Sequence, residues 1–303
     1  MQRQKPCIWF CRRLIHCPRK ETPIDERLKR CRVTSDEGEE RVTSHGIPES
    51  SGRVVSAGRL SLHALAFTDV VTEIVRFAQQ PNVSCVVTAN VDHYQKLRKN
   101  VAFRAAYARA NLRLADGMPI VWLARLSSGA KLERVTGADL LPSLCNAAAE
   151  TGIRVAFLGG AKGIAEKAAD RLVATYPGLE VAGCLSPAWG FDHDEALSNE
   201  VINWLQSVKA GIVFVALGAP KQELWVDASR HQLPAGAYVC CGASVDFAAD
   251  SIARAPRFMQ VSGTEWIYRW GQEPRRLTKR YLTNMIFFKD LGLAAVMRTL
   301  GRR

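Results

Sequence analysis

The stretch RLADGMPIVWLARL, residues 113–126, carries one carboxylate, Asp116, from a short apolar run straight into an apolar helix. An acid held at such a junction stands at the mouth of a sheet, where it can take a proton from a bound group. Two further polar motifs are expected at the same mouth. ERVTG (133–137) supplies Arg134, and LGAPKQELW (217–225), which again follows an apolar run, supplies Lys221 and Gln222. Three such exits point to one polar cleft.

Gln222 donates and accepts at once, which suits a sugar hydroxyl or a uracil edge, whereas Lys221 and Glu223 taken singly read as solvated charges. Thr88 and Asn90 close the run VSCVVTA (83–89) ahead of a helix. Capping explains them, and so does a place in the cleft as hydrogen-bonding groups. FLGGAKGIAEKAA (157–169) reads as strand, glycine-rich turn and helix. Gly159, Gly160 and Gly163 would let backbone N–H groups approach a phosphate, but a tight structural turn accounts for them equally well. The run lacks the Gly-x-Gly opening of the dinucleotide fingerprint and has no acid clearly placed for a ribose. Asp192, His193 and Asp194 open a helix, a sufficient reason for acids, and no metal is expected there. Cys7, Cys11, His16 and Cys17 do not have the spacing of paired zinc knuckles, so no metal is expected on them either.

The elements that must hold these residues are regular from Val54 onward. Apolar, β-branched runs at 83–89, 154–160, 179–185, 211–218 and 237–243 read as buried strands. Between them, 93–110, 139–150, 163–176 and 194–208 have helical spacing. The alternation predicts an α/β fold, a Rossmann-like parallel sheet with helices on both faces, whose ligands sit beyond the carboxyl ends of the strands.

Of 303 residues 48% are hydrophobic, enough for a substantial core, and the formal charge is +12. That charge is uneven. Residues 51–253 hold 19 Lys and Arg against 18 Asp and Glu, whereas 254–303 hold 11 against 3. Three segments follow: a poorly ordered basic leader (1–52), an α/β core (53–253) and a basic helical appendage (254–303). The nine scattered cysteines do not form a disulfide framework, and Cys85, Cys240 and Cys241 read as small buried hydrophobes. No uncharged apolar stretch is long enough to span a membrane, and IWFCRRLIHC is too short and too basic for a signal-peptide core. A cytoplasmic protein is expected.

The motifs TANVD, RLADGMPIV, ERVTG, FLGGAKG, ALGAPKQELW, CGASVDF, ARAP, TEWIYR and EPRRLTKR, in that order over residues 54–290, resemble the WecG/TagA/CpsF family of bacterial glycosyltransferases, glycosyltransferase family 26. The resemblance implies inverting, metal-independent transfer of an N-acetylmannosamine-, N-acetylmannosaminuronate- or glucose-type sugar. The donor would be a UDP-sugar and the acceptor a polyprenyl-diphosphate-linked saccharide, with no cofactor. It makes Asp116 the expected catalytic base with Thr88 beside it, and Asn90, Arg134 and Gln222 donor-binding residues. Gly159, Gly160 and Lys221 join them as donor-binding candidates from the local pattern. It also implies that the appendage reaches the membrane and supplies arginines to the site. Arg254, Arg257, Arg269, Arg275, Arg276 and Arg280, interleaved with Trp266, Tyr268, Trp270 and Tyr281, are the candidates for acceptor diphosphate or an anionic membrane surface. YLTNMIFF (281–288) and LGLAAVM (291–297) read either as an interfacial helix that does not span or as a terminal helix packed on the core. Peripheral association with the inner face of the cytoplasmic membrane is expected, and a homo-oligomer is left open. One departure from the family is Asp250, where Gly is common ahead of ARAP, which bears on the local turn. An NAD-dependent oxidoreductase and a basic nucleic-acid-binding module are the rival classes, and neither explains the motifs around Asp116 and Gln222.

Overall fold

The structure, a computed structural model, describes residues 53–262 and 264–300. The leader at 1–52, with its four potential metal ligands, lies outside the described residues.

An antiparallel hairpin, β1 (Arg53–Ala57) and β2 (Leu60–Ala64), comes first, followed by α1 (Phe67–Ala78). Neither had been expected as a distinct element. Next come β3 (Val83–Ala89), α2 (Val91–Lys99), α3 (Val101–Arg109), β4 (Leu112–Ala115), α4 (Met118–Ser128), α5 (Gly137–Thr151), β5 (Val155–Gly159) and α6 (Ile164–Thr175). Then follow β6 (Val181–Leu185), a 3₁₀ turn (Phe191–His193), α7 (Glu195–Val208), β7 (Ile212–Ala216), α8 (Lys221–Ser229), β8 (Gly236–Cys240) and α9 (Ser244–Ala248). The C-terminal segment adds α10 (Arg257–Val261), α11 (Glu265–Gln272) and the long α12 (Pro274–Leu300).

Strands β3 to β8 form one parallel sheet in the order β4-β3-β8-β7-β5-β6, so the Rossmann-like α/β expectation holds. Alternate strand residues face opposite sides, and the sheet is apolar on both. Cys85, Val87, Val213, Val215, Tyr238 and Cys240 enter one layer with α2, α3, α7 and α8. Val86, Leu114, Phe157, Phe214 and Val239 enter the other with α1, α5 and α6. Two-sided burial is why these strands read as continuous apolar runs. The chain steps from β3 to the edge strand β4 and then crosses to β5, and the ends of β3 and β4 on one side meet those of β7 and β8 on the other. This reversal opens the sheet's carboxyl edge to a ligand.

The helix expected over 93–110 is two helices. Asn100 is extended at φ −117° and ψ 108°, ends α2, and caps α3 by accepting from the Phe103 N–H at 2.8 Å. A side-chain cap supplies locally what a continued helix would have supplied, so the chain can turn there at little cost.

Candidate active site

The motifs converge because backbone bonds extend the sheet past its last strand residues. The Asp116 N–H donates to the Ala89 carbonyl at 2.8 Å, and the Val135 N–H donates to the Ala115 carbonyl at 2.9 Å. ERVTG is thereby fastened beside Asp116. Thr136 then caps α5, its hydroxyl accepting from the Asp139 N–H at 3.1 Å. Gly137 is required at this turn: a Cβ there would meet Ser244 Oγ at 2.5 Å and the Cys241 carbonyl at 3.2 Å. Gly117, at φ 108°, ends β4 and lets α4 begin with Pro119 in its first turn.

A cavity of about 640 Å³ lies at this edge. Thr88, Asn90, Asp116, Arg134 and Gln222 all line it, together with Arg269 from α11. Five residues expected together from separate parts of the core do meet. Thr88 is 4% exposed, and its hydroxyl donates to the Cys240 carbonyl at 3.2 Å, which leaves its oxygen lone pairs to accept. Gln222 is 2% exposed; its Oε1 accepts from the Gly218 N–H at 3.1 Å.

Burial raises the Asp116 carboxyl to about 6, and the Glu265 charge adds to the rise, while His93, Arg269 and Arg134 pull the other way. Facing it, Arg134 and Arg254 share two acids. Arg254 donates to Asp139 at 2.6 Å, and Glu265 lies 3.8 Å from both guanidinium groups. Burial alone would raise Asp139, but hydrogen bonds from Arg254 and Thr136 outweigh it and hold that carboxyl below the usual range. Arg269 sits over the Phe247 ring at 5.0 Å.

Other expected residues lie elsewhere. Gly159 and Gly160 are not among the cavity-lining residues. A Cβ on Gly159 would come within 2.6 Å of the Ala216 backbone, and the Gly160 N–H donates to the Ala216 carbonyl, so both serve the packing of β5 on β7. Lys221 is also off the cavity: its Nζ pairs with Asp192 at 3.1 Å and lies over Phe191. Asp194 caps α7 by accepting from the Leu197 N–H. Arg257 and Arg275 are exposed, and the side chains of Arg276 and Arg280 are outside the described residues.

The cavity also holds His93, Lys96 and Glu265, which the sequence had not singled out, and Trp266, which had been read as part of a headgroup boundary. The burial of Glu223 also escaped the sequence reading: it is 1% exposed and not the solvated charge its single appearance had implied. Lys96 pairs with Asp92 and donates to the Ala219 carbonyl, tying α2 to the loop that leads into α8 and Gln222. His93 and Glu223 meet at 3.0 Å across 130 positions of chain, and no local pattern reports such a pair.

An enclosed carboxylate facing guanidinium groups at the carboxyl edge of a parallel sheet suits proton removal beside an anion, the arrangement of a group-transfer enzyme with a negatively charged substrate. The sequence pattern of the glycosyl transferase WecG/TagA/CpsF family matches residues 55–300, and the chain belongs to that family. It is 31% identical over 200 residues to an N-acetylglucosaminyldiphosphoundecaprenol N-acetyl-beta-D-mannosaminyltransferase of Bacillus spizizenii, covering 66% of this chain and 76% of that protein.

Proposed function

We propose that this glycosyltransferase moves a sugar from a UDP donor to a polyprenyl-diphosphate-linked saccharide, with inversion and without a metal, during synthesis of a cell-surface polysaccharide. The observation that carries the reading is Asp116, a carboxyl raised to about 6, in one cavity with Arg134 and Arg269. The acceptor hydroxyl attacks the anomeric carbon as its proton passes to Asp116. The bond from that carbon to the UDP oxygen breaks, and the electron pair leaves with UDP. A carboxyl near 6 is ionised at neutral pH yet basic enough to take the proton, a contribution of roughly 10²- to 10⁴-fold. Arg134, Arg254 and Arg269 stabilise the departing diphosphate, the task a divalent cation would otherwise perform. Asn90 and Gln222 bind the donor, and Thr88 supports the base.

The Bacillus spizizenii relative is named for an N-acetylmannosaminyl donor group and a diphosphoundecaprenol acceptor, which supports the N-acetylmannosamine-type sugar among those expected. No helix among the described residues is long and apolar enough to cross a membrane. The lipid-linked acceptor is reached from the cytoplasmic face by peripheral association through the basic segment beyond residue 253. The test is UDP release from a panel of UDP-sugars, with and without a short polyprenyl-diphosphate-saccharide and in the presence of EDTA. Acceptor-dependent release that survives EDTA is expected. Release that requires a restored divalent ion would remove the metal-free mechanism.

A further inference from the structure

Two of the cavity's amides are held from behind by a buried histidine–glutamate contact outside the proposed chemistry. The Asn90 Oδ1 accepts from the backbone N–H groups of Asp92 at 3.0 Å and His93 at 3.3 Å, which fixes its oxygen end inward. His93 Nδ1 lies 3.0 Å from the same oxygen, and Nε2 lies 3.0 Å from Glu223 Oε1. Nε2 thus faces a carboxylate oxygen, while Nδ1 faces both that amide oxygen and, at 3.4 Å, the Asn90 backbone N–H. Glu223 Oε1 also accepts from Gln222 Nε2 at 2.8 Å, while Gln222 Oε1 is taken by the Gly218 N–H. The Phe103 ring packs on His93 with centroids 5.8 Å apart. His93 is 4% exposed and Glu223 1%. Burying two such polar side chains costs free energy unless their hydrogen bonds are made, so their use is sought in what they orient.

We propose that His93 and Glu223 are positioning residues that lock the side-chain amides of Asn90 and Gln222 with their free N–H donors turned into the cavity, toward the acceptor oxygens of the nucleotide donor. The geometry leaves little alternative orientation. Asn90 Oδ1 accepts from two backbone N–H groups and Gln222 Oε1 from one, which orients the Nδ2 of Asn90 and the second hydrogen of Gln222 Nε2 as the donors left for a ligand. Two fixed donors, from the cap of α2 and from α8, discriminate for an acceptor-rich group such as a diphosphate or a uracil carbonyl. Glu223 Oε2 has no hydrogen-bond partner among the described residues. Only Oε1 is needed for the lock, and a glutamine at 223 can supply that oxygen.

This inference rests on the UDP-donor reading for its ligand but not for its geometry, and the test separates the two. In full-length protein labelled with ¹⁵N at glutamine side chains, the Gln222 amide protons are followed by NMR for solvent exchange, and UDP affinity is measured by calorimetry. Glu223→Ala is expected to speed exchange at Gln222 and weaken UDP about tenfold, the equivalent of one lost hydrogen bond. Glu223→Gln should restore both to within about threefold of wild type. The double variant Gln222→Ala/Glu223→Ala should bind UDP no more weakly than Gln222→Ala, because Glu223 acts through Gln222. A Glu223→Ala protein with a lowered Tm but unchanged Gln222 exchange and UDP affinity would overturn the proposal, as would additive losses in the double variant. Should Glu223→Ala not fold, His93→Phe keeps an aromatic ring and removes both ring nitrogens. Its expected effect is freed Asn90 and Gln222 side chains, and an unchanged Gln222 signal would count against the lock. Wild-type protein that ignores UDP would refute the donor reading, while Gln222 exchange still decides the positioning role.

Discussion

The Asp116 carboxyl holds its proton more tightly in the folded chain than in the unfolded one, since burial and the Glu265 charge move it from an ordinary 3.8 to about 6. Its ionised form therefore burdens the fold above pH 6, and the burden disappears as pH falls below about 4, where both states are protonated. Asp116→Asn should accordingly be more stable than wild type at pH 7 to 8, by on the order of 1–2 kcal/mol after allowing for cavity solvent, with the gain gone below pH 4. Urea unfolding at several pH values reads this directly. The same carboxyl predicts that transfer activity declines as pH falls through about 6, since the protonated acid cannot accept the hydroxyl proton. Asp116 and Gln222 were visible in the sequence because a polar residue close after an apolar run is locally conspicuous, and Arg134 through the ERVTG motif. His93 and Glu223 were not, because each has an ordinary neighbourhood and only the fold brings them together.

Elements were legible where burial was two-sided. The central strands announced themselves as apolar runs, whereas the β1–β2 hairpin and α1 carry mixed patterns and emerged only in the structure. The hairpin is joined to β4 by buried His63, whose Nδ1 accepts from the Arg113 N–H at 3.0 Å. Burial, with the Arg113 charge, lowers this histidine to about 4. A lowered imidazole contributes stability that is present above pH 6.5 and lost as pH falls through about 4, up to about 3 kcal/mol. His63→Gln should flatten that part of the stability profile, and a slope identical to wild type would contradict the assignment. At the turn before ARAP, Asp250 has φ 54°, the left-handed conformation that suits the family's glycine. Asp250→Val should cost about 1–2 kcal/mol relative to Asp250→Gly in thermal unfolding. One side of helix α12 packs on the core, as the second reading of the tail expected. Leu277, Asn284 and Phe287 are buried, Phe287 edge-on to Tyr94 at 5.2 Å, and Tyr94 donates to Asp290 at 2.8 Å. Its other side exposes Leu293, Val296, Met297 and Leu300 at helical spacing, with Met297 63% exposed.

For the whole molecule, an almost neutral core ends in a segment that is basic, aromatic and partly apolar, and that segment also lends Glu265 and Arg269 to the cavity, with Arg254 paired to Asp139 and Glu265 beside it. On the proposed function, the part that would meet an anionic surface is the same part that completes the cavity. Association with vesicles containing anionic lipid should weaken as ionic strength rises, each basic residue near the surface contributing about 1 kcal/mol. Replacing Leu293 and Met297 with Ser should weaken it at every ionic strength while leaving the melting temperature near wild type, because both side chains are already exposed. Sedimentation with and without salt distinguishes these contributions. The central claim is that Asp116 takes the acceptor's proton during sugar transfer. Its most direct test is the single-turnover transfer rate of Asp116→Asn at saturating UDP-sugar and lipid-linked acceptor, with UDP affinity measured on the same preparation. The account predicts a rate at least about 10²-fold below wild type with UDP still bound, and a near wild-type rate in a variant that binds UDP normally would contradict it.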